Sequence, residues 1–137
     1  MMKEKKTYLQ VRSKNIYHAY ELLLSKGYVS FPLTDDGKRK VEAIVANING
    51  SNFGIENYKT TEEKAVAYLY FLIKGHPFTD GNKRTASLVF EVVCDINNLT
   101  PHFKDSTLDQ MAVFIENVKE DDHQDVIKAI SSLLFEQ

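Results

Sequence analysis

The sequence predicts an all-α (mainly α) fold of about six helices with at most one small hairpin. Apolar residues recur three and four positions apart through successive segments, the spacing of one helical face. Start and stop signals bracket those segments, with Thr or Asp before them and Gly or Asn after. The exception is residues 47–57, where Asn-Gly and Phe-Gly pairs break the helical period and signal turns.

In chain order, residues 1–10 are charged and then mixed, which predicts a frayed start. The first helix runs from about Ser13 to Ser25, with Ile16, Tyr20, Leu23 and Leu24 on one face and Gly27 as its C′ residue. Tyr28 to Thr34 contains Pro32 and reads as an irregular loop. Asp35 or Asp36 caps a second helix with Val41, Ile44, Val45 and Ile48 on its apolar face. The run Gly37-Lys-Arg-Lys40 on its first turn reads as a solvated face rather than a binding patch. In 47–57, one reading is a loop that tucks Phe53 into the core; the other depends on a resemblance described below.

Thr60-x-x-Glu63 is a capping box that opens a third helix. Its stripe is Ala65, Val66, Leu69, Leu72 and Ile73, and Gly75 ends it. Residues 83–97 form a fourth helix that is apolar on most sides, which predicts that it lies at the middle of the fold. Asn97-Asn98 stops it, and Pro101 keeps the next segment open. Thr107-x-x-Gln110 caps a fifth helix bearing Leu108, Met111, Ala112, Ile115 and Val118. Asp121 or Asp122 caps a last one bearing Val126, Ile127, Ile130, Leu133 and Leu134. At 137 residues, one domain over 1–137 with one core is expected.

Composition excludes some functions. Apolar residues are 43% and charged residues 26%, ordinary for a globular protein. The net charge of −2 and pI of 6.1 provide no global basic field, so nucleic acid is not an expected partner. No apolar run is long enough for a bilayer, and Met-Met-Lys-Glu-Lys-Lys lacks a signal-peptide core, so a cytoplasmic location is expected. The single Cys94 cannot form an internal disulfide, which fits a reducing compartment. His18, His102 and His123 have no partner pattern and read as surface residues. The lack of a Cys/His cluster argues against a structural zinc site.

The chemistry concentrates between the third and fourth helices, in His76-Pro-Phe-Thr-Asp-Gly-Asn-Lys-Arg-Thr-Ala-Ser87. A loop that ends at a helix N-terminus offers free N–H groups and partial positive charge to an anion. Gly81 allows a tight turn and a close backbone approach to phosphate. Lys83 and Arg84 lie at the end of a helix where cations are locally unfavourable unless an anion is near. Asp80 supplies a hard oxygen of the kind Mg²⁺ takes beside substrate phosphates, and it could equally be the N-cap. His76 is of a residue type that titrates in the range suited to a general base.

These residues resemble the signature of the Fic/Doc (Fido) family, H-x-F-x-[DE]-[GA]-N-x-R, at every fixed position: His76, Phe78, Asp80, Gly81, Asn82 and Arg84. Adenylyl-transferring Fic proteins usually have Gly where this chain has Lys83 and a second Arg where it has Ser87. Doc-type proteins have Lys at the first position followed by Arg-Thr-Ala, as in Arg84-Thr85-Ala86 here. Gly81 is Fic-like, since Doc itself has Ala. The signature is therefore a hybrid closer to Doc, specific over roughly residues 60–98.

The resemblance implies a Fido-type helical bundle and an ATP- and Mg²⁺-dependent transferase acting on a hydroxyl of a target protein. By resemblance, His76 deprotonates that hydroxyl, Asp80 holds the metal, Gly81 and Asn82 shape the anion cradle, and Arg84 holds a phosphate. Phe78 anchors the loop, and Lys83 is open between a phosphate contact and a solvent-facing lysine. Lys83 and Ser87 favour Doc-type phosphotransfer, with Fic-type AMP transfer as the alternative. A further alternative is a non-catalytic Fido module of a toxin–antitoxin or regulatory complex. The resemblance also implies that residues 47–57 form a hairpin flap that holds the target by strand addition. Many Fic enzymes are silenced by an internal helix of pattern [ST]-x-x-x-E-[GN]. Glu56-Asn57 and Glu116-Asn117 follow Asn52 and Ala112 at the first position, so neither pair fits. Inhibition is thus expected from a separate chain, such as an antitoxin. Oligomeric state is left open.

Overall fold

A computed structural model describes residues 7–103, 107–119 and 122–135. Six helices and one hairpin follow in order among these residues: α1 (Ser13–Ser25), α2 (Asp35–Asn49), β1 (Ser51–Asn52), β2 (Ile55–Glu56), α3 (Thr61–Lys74), α4 (Asn82–Ile96), α5 (Leu108–Asn117) and α6 (His123–Phe135). The mainly helical class is as the periodicity predicts.

Helix α3, rather than α4, is the axis of the fold. It buries Lys64 to Tyr70 continuously, together with Leu72 and Ile73, and packs against α2, α4, α5 and α6. Helix α4 instead leaves Val92 and Ile96 about two-fifths exposed, at 41% and 38%. The apolar count misleads here because tyrosines extend the buried surface of α3. The Tyr68 hydroxyl donates to the Val11 carbonyl at 3.1 Å and accepts from Asn49 Nδ2 at 3.0 Å. The Tyr70 hydroxyl lies 2.6 Å from His123 Nδ1. A satisfied hydroxyl makes a tyrosine a core residue. His123 is accordingly half-buried and edge-on to Tyr70 and Phe71, not an isolated surface histidine. His18 and His102 are exposed.

The caps hold with two adjustments. Thr34, not Asp35 or Asp36, caps α2: its hydroxyl accepts from Gly37 N at 3.0 Å, and the two aspartates occupy the first turn, where negative charge suits the dipole. Thr60 accepts from Glu63 N at 3.0 Å, but the Glu63 carboxylate reaches back to Lys59 N rather than to Thr60. Thr107 and Gln110 form the full capping box. Asp122 accepts from Asp125 N at 3.1 Å at the start of α6, and Asp121 lies outside the described residues. Residues 1–6, where the frayed start is expected, also lie outside them; from Tyr8 the chain is tied down. Asn97 brackets the backbone of Leu9 at 2.7 and 3.0 Å, and the Tyr8 hydroxyl donates to Asn49 at 2.9 Å.

The hairpin pairs Ser51 with Glu56 and Asn52 with Ile55. Its two-residue turn, Phe53-Gly54, has φ of 54° and 77°, the positive pair of a type I′ turn. The Phe53 side chain is fully exposed, which overturns the reading that it tucks into the core. No helix among the described residues is long and apolar enough to cross a membrane.

Candidate active site

The loop between α3 and α4 is shaped by residues beneath it. Gly75 ends α3 by donating to the Phe71 carbonyl at 2.8 Å, and His76 then takes φ of 44°, a left-handed conformation costly for a side chain. Pro77 is buried. A Cβ on Gly37, at the start of α2, would sit 2.6 Å from the Pro77 carbonyl, so only glycine allows α2 to approach this closely. The Gly37–Lys40 run is therefore not wholly a solvated face. Phe78 is the anchor expected, stacked on Tyr20 with ring centroids 4.3 Å apart, and the Tyr20 hydroxyl donates in turn to the Phe31 carbonyl.

Asn82 closes the loop on itself. Its Oδ1 accepts from Phe78 N at 3.0 Å, its Nδ2 donates to the Phe78 carbonyl at 2.9 Å, and the same Nδ2 lies 3.3 Å from His76 Nδ1. One amide thus fixes both the loop backbone and the side of the imidazole it faces. Gly81, at φ 76°, is the N-cap of α4. A Cβ there would lie 2.2 Å from Val29 Cγ1, so the glycine is demanded by the turn and by Val29 together. Asp80 is not the N-cap. Its Oδ1 accepts from the next N–H, Gly81, at 2.8 Å, and the carboxylate stays exposed.

The two cations find partners within the protein. Lys83 Nζ pairs with Glu116 Oε2 at 2.8 Å, and the Arg84 guanidinium lies over the Tyr28 ring, 5.1 Å from its centroid. Glu116 reaches the site from the end of α5, where Lys74 donates to the Glu116 and Val118 carbonyls. Lys83 first, then His76 and Lys74, holds the Glu116 carboxyl below its ordinary value. The Glu116-Asn117 pair fails the sequence pattern, yet Glu116 faces the cradle; the local signal is only its place at the end of an amphipathic helix.

His76, Asp80, Gly81, Asn82, Lys83 and Arg84 all line one cavity of about 280 Å³, as does Glu116. A second cleft of about 550 Å³ shares Lys83 and Arg84 and continues past Tyr28, Ser87 and Leu88 to α5. Every site residue read from the sequence is thus brought together. Among the described residues no three His, Cys, Asp or Glu side chains are placed to hold a metal. A divalent ion at Asp80 would draw its remaining ligands from phosphates and water, the usual habit of Mg²⁺. Burial in the core pushes the Cys94 thiol up to about 12, so it offers no thiolate at neutral pH.

The Fic/DOC family model matches residues 8–94, which includes this loop. The chain belongs to the Fic/DOC family. The match reaches back through α1, well beyond residues 60–98, where the signature alone was specific, and it ends before α5 and Glu116. No curated protein and no solved structure gives a significant match to the chain.

Proposed function

We propose that this Fic/DOC protein transfers the γ-phosphoryl group of ATP to a hydroxyl on another protein. The observation that carries the reading is the single cavity in which an imidazole, an exposed carboxylate, a helix N-terminus and two cations converge. Its parts suit a reaction that depends on positioning and charge stabilisation. His76 takes the proton of the target hydroxyl as its oxygen bonds to the γ-phosphorus. The bond from the γ-phosphorus to the bridging oxygen breaks, and ADP leaves. The N–H groups at the start of α4, with Lys83 and Arg84, hold the phosphate oxygens. Mg²⁺ bound at Asp80 would neutralise phosphate charge. The second cleft offers room for the nucleoside beside the shared cations. The hairpin's exposed edges accept an extended segment of the target.

Phosphotransfer is favoured over AMP transfer by two positions. Lys83 places an ammonium within the cavity, and Ser87 lines the second cleft where the Fic pattern has an arginine. The Fic-like Gly81 does not weigh against this, because Val29 and the positive φ already require glycine there. ATP labelled separately at the α- and γ-phosphates, incubated with Mg²⁺ and a lysate, tests the assignment. Transfer of γ-label alone, absent in His76→Ala, is the expected result. Transfer of α-label would establish AMP transfer instead, and ATP binding without labelled protein would favour a binding module.

A further inference from the structure

The core helix α3 buries a charge that the proposed chemistry does not use. Lys64, on its first turn, is 6% exposed. An ammonium withdrawn from water is costly unless its partners compensate. Its Nζ donates to the Tyr58 carbonyl, lies 3.6 Å from the Glu56 carboxylate, and sits 5.4 Å from the centroid of the Tyr8 ring. Glu56 is the end of β2 and Tyr58 the second residue beyond it. A cation rooted in the core therefore grips the base of the hairpin.

The hairpin needs such a grip. Its strands are two residues each, exposed on both faces, and a ribbon this short is marginal alone. Its amide contacts close it on itself and on the end of α2: Asn57 N to the Gly50 carbonyl at 3.0 Å, Asn57 Nδ2 to the Asn47 carbonyl at 2.8 Å, and Asn52 Nδ2 to Asn57 Oδ1 at 3.0 Å. Gln124 adds a longer contact from α6 at 3.5 Å. Lys64 ties the hairpin to α3, whose other end runs into His76. At about 1.5 Å per residue, the helix sets roughly 15 Å between Lys64 and Lys74. One rigid element thus spaces the hairpin from the base.

We propose that Lys64 is a positioning residue that fixes the hairpin relative to His76, so that a target segment paired to the hairpin presents its hydroxyl to the imidazole. This rests on the hairpin's role proposed above.

Lys64→Met keeps the stem and removes the charge, leaving Glu56 in solvent rather than stranded. In the full chain, hydrogen–deuterium exchange over residues 50–58 should quicken about tenfold while exchange in α3 and the thermal midpoint are retained. With labelled ATP and lysate, the half-saturating lysate concentration should rise about tenfold at an unchanged maximum rate and unchanged ATP affinity. Glu56→Gln, made at the exposed end of the pair, should act in the same directions by about threefold without touching the core. Unchanged exchange in both variants overturns the tie. Faster exchange with an unchanged saturation curve overturns the positioning role, while that curve itself upholds protein modification. If the wild-type chain labels nothing, the proposed reaction fails and the positioning role with it, and exchange alone decides the tie.

Discussion

The His76–Arg84 loop and the hairpin use the same strained backbone in opposite ways. His76 and Gly81 have φ of 44° and 76°; Phe53 and Gly54 have 54° and 77°. In the loop the strained positions sit among fixed neighbours: Gly81 against Val29, Phe78 stacked on Tyr20, and Asn82 bonded to both backbone groups of Phe78 and 3.3 Å from His76 Nδ1. At the hairpin tip nothing among the described residues holds the strain. A Cβ on Gly54 would meet no atom within 4 Å, and the Phe53 ring is wholly in solvent. Strain over-determined by packing fixes a geometry, which suits reacting atoms. Strain fixed only by the turn leaves a side chain available to a partner.

The largest test of this contrast is His76→Ala. Loss of a positioned base should lower transfer at least ~10²-fold, with the thermal midpoint unchanged because His76 is exposed. Retained turnover would remove the loop from the chemistry altogether. Gly81→Ala follows. A side chain at that φ costs about 1–2 kcal/mol, and the Cβ also collides with Val29. The midpoint should fall and transfer should be lost. Val29→Ala added to that variant relieves the collision but not the φ, so part of both should return. No recovery would mean that the loop is not held by packing, and the contrast with the hairpin would break.

The site was more legible in the sequence than its support. His76, Asp80, Asn82 and Arg84 are local in sequence, so one signature displays them together. Tyr20, Val29 and Gly37 act on that loop from dozens of residues upstream through single contacts, and nothing in their own neighbourhoods marks them. Tyr28 under Arg84 and Glu116 beside Lys83 are similarly distant. The helices read well because each carries its own apolar stripe and cap. Their ranking did not, since centrality depends on whether Tyr68 and Tyr70 find hydroxyl partners, which periodicity cannot report. The hairpin turn was visible as Phe-Gly, but the fate of the Phe53 ring depends on what lies beneath the turn.

A smaller effect probes the exchangeable contact in the loop. If Lys83 holds a phosphate of ATP as proposed, Glu116 competes for it, and Glu116→Gln should bind ATP about two- to fivefold more tightly at pH 7. Because the Glu116 pKa is lowered in the fold, chiefly by Lys83, its ion pair is fully present above the ordinary carboxyl value of 4.5 and is lost as pH falls through the depressed one. The advantage of the variant should therefore shrink below that window. Calorimetric titration at pH 7 and in the acid range measures both, and equal affinities at pH 7 would mean that phosphate and Glu116 do not contest the lysine.

The smallest effect sharpens the comparison most. Phe53 occupies a turn position that favours Asn, Asp or Gly, and it makes no buried contact to offset the misfit. Phe53→Asn should therefore raise stability slightly, by up to about 1 kcal/mol, seen as a small upward shift of the thermal midpoint. If the ring serves a partner, the same change should raise the lysate concentration needed for half-maximal labelling while leaving ATP affinity alone. A substitution that stabilises the fold and weakens transfer separates the two demands in one residue, because what the turn would prefer is not what the chain carries. Stabilisation with no loss of transfer would leave Phe53 without a role in target binding, and the hairpin's edges would then have to hold the target through backbone pairing alone.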